Sequence, residues 1–108
     1  MYKIAFVEDE EDLNSLIKTY LEHEGYEVTS YLNGTDAIKD IDKNPDLWIL
    51  DIMLPGDISG YDIIKKIREK NDVVPVIFTS ARDEQLDKII GLELGSDDYI
   101  TKPYSPKE

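Results

Sequence analysis

The stretch YKIAFVEDEED, residues 2–12, passes from a near-continuous apolar run directly into five consecutive acids. An apolar run of this length, flanked by a helical pattern, reads as a strand buried on both faces of a parallel sheet. Acids packed so densely repel one another, so they mark a solvated loop, a disordered tail or a place where positive charge belongs.

Working outward, residues 47–50 and 74–78 repeat the buried-strand pattern. Tyr26 and Val28 alternate with Glu27 and Thr29, which suits an edge strand, and residues 98–101 make a short final strand. Leu13, Leu16, Ile17, Tyr20 and Leu21 fall at helical spacing, with Gly25 as the stop. Ala37, Ile38 and Ile41 predict a second helix ending before Pro45. Tyr61, Ile64 and Ile67 predict a third, and Leu86, Ile89 and Ile90 a fourth that ends at Gly95. Five β-α steps imply a parallel sheet with right-handed crossovers and helices on both faces. Trp48 falls in a central strand and reads as core. Ser105, Pro106 and Glu108 have the spacing of a capping box. The chain therefore reads as one domain, residues 1–108, truncated where a fifth helix begins, with a parent chain that continues.

Composition narrows the function. The chain has 108 residues, 41% hydrophobic and 33% charged, which fits a folded globular domain despite a formal net charge of −12. Twelve basic residues scattered among 24 acids form no cationic stripe, so this domain is not expected to bind nucleic acid by itself. It has no cysteine, which excludes a disulfide framework and a thiolate metal site. The longest stretch without a charge, residues 73–81, is too short to cross a bilayer. No membrane association is expected, and a cytoplasmic location is the simplest reading.

In an open parallel sheet, ligands sit beyond the carboxyl ends of the strands where the strand order reverses. For the order 2-1-3-4-5 that point lies between strands one and three, which brings Glu8 and Asp9 beside Asp51. Oxygen ligands with room for water suit a hard divalent ion such as Mg²⁺. Strand four ends at Ser80 and strand five is followed by Lys102. Metal, hydroxyl and ammonium around a carboxylate are what a phosphoryl group needs, with Asp51 as the nucleophile. Glu10, Glu11 and Asp12 read as a solvated helix start, and His23 as an exposed helix residue.

These residues resemble the receiver domain of two-component response regulators. The resemblance rests on VEDE (7–10), ILDIMLPG (49–56), PVIFTSARDE (75–84) and GLELGSDDYITKPYSPKE (91–108). It implies a flavodoxin-like doubly wound sheet, Asp51 as phosphoacceptor, and Asp9 and the Met53 carbonyl as metal ligands with Glu8 holding metal-bound waters. It further implies Ser80 and Tyr99 as switch residues, Lys102 as the phosphate-pairing lysine, and a phosphohistidine of a sensor histidine kinase as donor. Such a domain is a phosphoacceptor that catalyses its own phosphorylation and dephosphorylation rather than a turnover enzyme. The last segment is most similar to OmpR-type transcription factors. That likeness implies homodimerisation through the fourth-helix and fifth-strand face, where Lys88, Glu93, Asp97, Asp98 and Glu108 match charged positions. DNA would be contacted only through a winged-helix domain of the longer parent.

Glu8 stands where the family more often has Asp, Ser80 where Thr is commoner, and the loop 55–60 is one residue longer than usual. A flavin or mononucleotide module would need a Gly-, Ser- or Thr-rich phosphate loop after strand one, where this chain has carboxylates. An aspartyl phosphatase would need a DxD pair there, which Asp9-Glu10-Glu11 does not supply. A scaffold that has lost phosphorylation would not need the full set of rim groups.

Overall fold

The computed structural model describes residues 1–80 and 98–101, with residues 80 and 98–101 as strand backbone. Five strands form one sheet: β1 (Lys3–Val7), β2 (Glu27–Tyr31), β3 (Leu47–Asp51), β4 (Val76–Ser80) and β5 (Asp98–Thr101). Every pairing is parallel, as the alternation of strands and helices predicts, and their order is β2-β1-β3-β4-β5, that of the doubly wound fold the resemblance implies. The described helices are α1 (Glu11–His23), α2 (Gly34–Lys39) and α3 (Gly60–Lys70). None of them is long and apolar enough to cross a membrane. The expected fourth helix and the helix start at 105–108 lie outside the described residues.

Strand alternation divides the core into two layers. Ile4 and Phe6 of β1 meet Ile17 of α1 and Val28 of β2, with Leu47 and Ile49 of β3 packed alongside. Ala5, Val7, Trp48, Leu50, Val76 and Phe78 point the other way, onto Ala37 of α2 and Ile63, Ile64 and Ile67 of α3. Each large side chain removed from water contributes roughly 2 kcal/mol, so the α3 isoleucines anchor this layer. Trp48, 2% exposed, stacks on Tyr31 with ring centroids 6.5 Å apart.

Three elements differ from the sequence pattern for identifiable reasons. On α1 the buried stripe is rotated: Leu16 is 57% exposed, while Asn14 is buried. The second helix stops at Lys39 and the chain continues as a 3₁₀ turn, Ile41–Lys43. The residue before Pro45 is sterically kept from the right-handed helical region, and Asn44 instead adopts a left-handed conformation, φ 52°, which Asn tolerates better than most side chains. The fourth strand starts at Val76 rather than 74. Pro75 has no N–H to donate, and Val74 is tied instead to Asn71 Oδ1 through its N–H and to Arg68 Nη1 through its carbonyl.

Gly25 ends α1 as its sequence position implies. At φ 100° it turns the chain so that the Tyr26 N–H reaches the Leu21 carbonyl and the Gly25 N–H that of Glu22, a Schellman closure. The chain enters β2 directly, and the β1, β2 and β3 rims align above the sheet.

Candidate functional site

Two loops leave this rim side by side. The first follows β1. Glu8 is only 1% exposed although it carries a carboxylate. Its N–H donates to the Tyr31 carbonyl at 3.0 Å, extending the β1–β2 ladder by one step. Its side chain folds back so that Oε2 accepts the Glu10 N–H at 3.0 Å. Glu10 is the N-cap of α1 and makes no side-chain cap bond. The acids Glu11 and Asp12 occupy the first turn, where the helix dipole favours negative charge. Asp9, between them and Glu8, is exposed.

The second loop, residues 52–59, follows β3. Asp51, the last strand residue, is 2% exposed, and its Oδ1 accepts the Met53 N–H at 3.0 Å. That bond fixes the rotation of the carboxylate. The Ile52 N–H donates to the Thr79 carbonyl of β4, while its carbonyl accepts the N–H groups of Leu54 and Gly60 at 3.2 and 3.1 Å. Gly60 opens α3 against the backbone of Asp51. A Cβ there would collide with the Asp51 carbonyl oxygen and lie 2.9 Å from the Ile52 Cα. The start of α3 is closed by a capping box: Ser59 Oγ accepts the Asp62 N–H, and the Asp62 carboxylate accepts the Ser59 N–H at 2.9 Å. The hydrogen bond from the Ser59 backbone, aided by the Ser59 hydroxyl, holds the Asp62 carboxyl below its ordinary range.

Glu8, Asp9 and Asp51 each bring a carboxylate oxygen within 4.8 Å of the other two. Two like charges about 4–5 Å apart repel by roughly 3–4 kcal/mol at an effective dielectric near 20, and two of these three groups are buried. An oxygen-only donor set of this charge fits a hard divalent cation, so the residues present suit such an ion. The sheet order brings together acids that lie more than forty residues apart in sequence.

The remaining rim groups are placed by backbone alone. Ser80 ends β4 opposite Thr101, one step beyond the Asp51–Thr79 pair, and Tyr99 lies opposite Phe78 in β5. Asp98 opens β5. Lys102, Lys88, Glu93, Asp97 and Glu108 lie outside the described residues. His23, exposed in the last turn of α1, does not join the site.

Two residues that support the site escape the sequence pattern. Asn14 is 4% exposed and its Nδ2 donates to the carbonyls of both Glu8 and Tyr31, at 2.9 and 3.0 Å. An amide on the apolar face of α1 was its only signal. Gly60 is needed for close approach, and its sole trace is a glycine at the start of a helical pattern.

A parallel α/β sheet of this order, with buried carboxylates at the β1/β3 switch point, defines a CheY-like domain. Residues 4–108 match the model of the response regulator receiver domain, and the chain belongs to that family of phosphoacceptor switches. It is 56% identical to the transcriptional regulatory protein CssR of Bacillus subtilis over 107 residues, covering 99% of this chain and 47% of that protein. The receiver domain of the Francisella response regulator 1452 superposes with a TM-score of 0.90 at 36% identity, covering 99% of this chain and 88% of that one. DrrB of Thermotoga maritima, an OmpR/PhoB homologue, gives 0.89 at 34% identity, covering 99% of this chain and 48% of that one. The chain spans about half the length of the curated relatives it matches.

Proposed function

We propose that this domain accepts a phosphoryl group on Asp51 from a phosphohistidine of a sensor kinase and thereby controls an output of the longer protein. The observation that carries the reading is the meeting of Glu8, Asp9 and Asp51 at the β1/β3 rim, with Asp51 buried and rotationally fixed by the Met53 N–H. Asp9, Asp51 and the Met53 carbonyl would hold Mg²⁺, and Glu8 would hold waters bound to it. The ion would neutralise charge spread over the phosphoryl oxygens.

Asp51 attacks phosphorus through a carboxylate oxygen; an O–P bond forms, the P–N bond breaks, and its electron pair returns to the imidazole nitrogen, which takes up a proton. Burial withholds bulk water from the resulting acyl phosphate. Ser80 supplies a hydroxyl to the phosphoryl group, Lys102 pairs with its charge, and Tyr99 follows the change. The face carrying Lys88, Glu93, Asp97, Asp98 and Glu108 then favours homodimerisation, and transcription is controlled through a DNA-binding domain elsewhere in the parent. Names such as transcriptional regulatory protein among the relatives support that output.

The test is intact mass after incubation with acetyl phosphate, with and without Mg²⁺, on the wild type and Asp51→Asn. One added phosphoryl group that requires both Mg²⁺ and Asp51 is expected. Labelling of Asp51→Asn, or none of the folded wild type, overturns the reading.

A further inference from the structure

We infer that Asn14 is a positioning residue for the acidic pair: its side-chain amide, bridging the Glu8 carbonyl to the end of β2, sets where the Glu8 and Asp9 carboxylates stand. The inference rests on the reading of the rim as a Mg²⁺ site and adds to it a residue that touches neither metal nor phosphoryl group.

Asn14 lies in the opening turn of α1, where its N–H makes the first helical bond, to the Glu10 carbonyl at 2.8 Å. Helical side chains lean toward the N-terminus, so the amide reaches back across the loop it follows. Its Nδ2 group has two hydrogens, and two carbonyls accept from it, those of Glu8 and Tyr31. The Tyr31 carbonyl also accepts the Glu8 N–H. Glu8 is thus gripped on both sides of its Cα, by its own N–H and by its carbonyl, against a single point on β2. Fixing the Glu8 carbonyl fixes the plane of the Glu8–Asp9 peptide, and with it the Cα from which the Asp9 carboxylate projects.

The choice of residue points the same way. Asn is a poor helix former because its side chain competes for backbone groups, and burying an amide is costly unless it is paired. A leucine would continue the apolar face between Leu13 and Ile17 at no such cost. What an amide adds here is donors aimed at the loop. Groups that orient metal ligands from behind typically govern affinity by 10–100-fold.

The experiment compares Asn14→Leu, close in volume but without donors, with Ile17→Val, which loosens the same helix without touching the loop. Mg²⁺ affinity is measured by calorimetric titration and the Glu10 amide resonance by ¹H–¹⁵N NMR, each beside the thermal midpoint. Asn14→Leu should weaken Mg²⁺ binding by about tenfold and shift the Glu10 resonance without metal, whereas Ile17→Val should lower the midpoint and leave both unchanged. Asn14→Ser, with one donor on a shorter arm, should fall between and serves as the test if the leucine variant does not fold. Wild-type affinity in the Asn14 variants, or equal weakening in Ile17→Val, overturns the inference. A wild type that binds no Mg²⁺ breaks the reading of the rim instead. The metal-free Glu10 resonance then decides for Asn14: a shift in its variants supports the positioning role, and no shift overturns it.

Discussion

The loops after β1 and β3 deliver carboxylates to one place by different means. The first is short and borrows its rigidity from side chains, those of Glu8 and Asn14. The second, residues 52–59, is longer and, beside the Asp51 carboxylate on the Met53 N–H, is held mainly by backbone: two N–H groups on the Ile52 carbonyl and Gly60 pressed against the strand end. A side-chain brace can be altered one group at a time. A backbone brace fails when the chain path is disturbed.

The largest effect should therefore come from Gly60→Ala. The new methyl meets strand backbone rather than a flexible side chain tip, so either β3 or α3 must move. Overpacking of this kind costs about 1–3 kcal/mol, and the shift falls directly on Asp51. Chemical denaturation should show the loss, and phosphorylation from acetyl phosphate should slow; a variant as stable and as reactive as wild type breaks the idea of a backbone brace.

Next in size is Glu8→Gln. The amide oxygen can still accept the Glu10 N–H, so the brace survives while one of three clustered charges is removed. Without Mg²⁺ the variant should be more stable than wild type by about 1–2 kcal/mol, since like charges no longer crowd the rim. Its stabilisation by added Mg²⁺ should shrink. A melting series with and without the ion reads both, and a drop in metal-free stability would show that the Glu8 charge itself holds the loop.

The smallest is Ser59→Ala, which removes half of the capping box at the far end of the second loop. It should cost about 1 kcal/mol, seen as a lowered midpoint with little change in Asp51 chemistry. The box also has a pH signature. The Asp62 carboxyl is lower in the folded protein than in the unfolded chain, so its contribution is full above the ordinary carboxylate range. It fades as pH falls through and below that range. In Asp62→Asn that component of the acid-side loss should be absent.

The parallel sheet, the acidic rim and the family were legible because they depend on pattern: apolar runs, helical spacing and the residues that end each strand; the strand order came with the fold that the resemblance implies. Asp51 is readable at the end of ILD, and Gly25 and the strand 98–101 fall where the pattern puts them. What escaped depends on contacts between distant backbones. Asn14 matters through two carbonyls that only the fold brings near, and Gly60 through a clash that exists only when α3 leans on β3. Leu16 and Asn14 exchanged roles because helical spacing fixes a stripe's period more firmly than its angle to the sheet. The break after Lys39 escaped because Ile41 keeps the spacing while the approach to Pro45 forbids the geometry.

Trp48 gives the sheet an optical consequence. It is the chain's one tryptophan, sealed from water in β3 between Ala5 of β1 and Val76 of β4 and lying against the ring of Tyr31. Excited at the red edge, where the seven tyrosines absorb little, its emission comes from one site at the centre of the fold. That site is three residues before Asp51, on the same strand. Unfolding should move the emission from a blue, apolar maximum to a red, aqueous one, so this chain carries a native fluorescent reporter that needs no label.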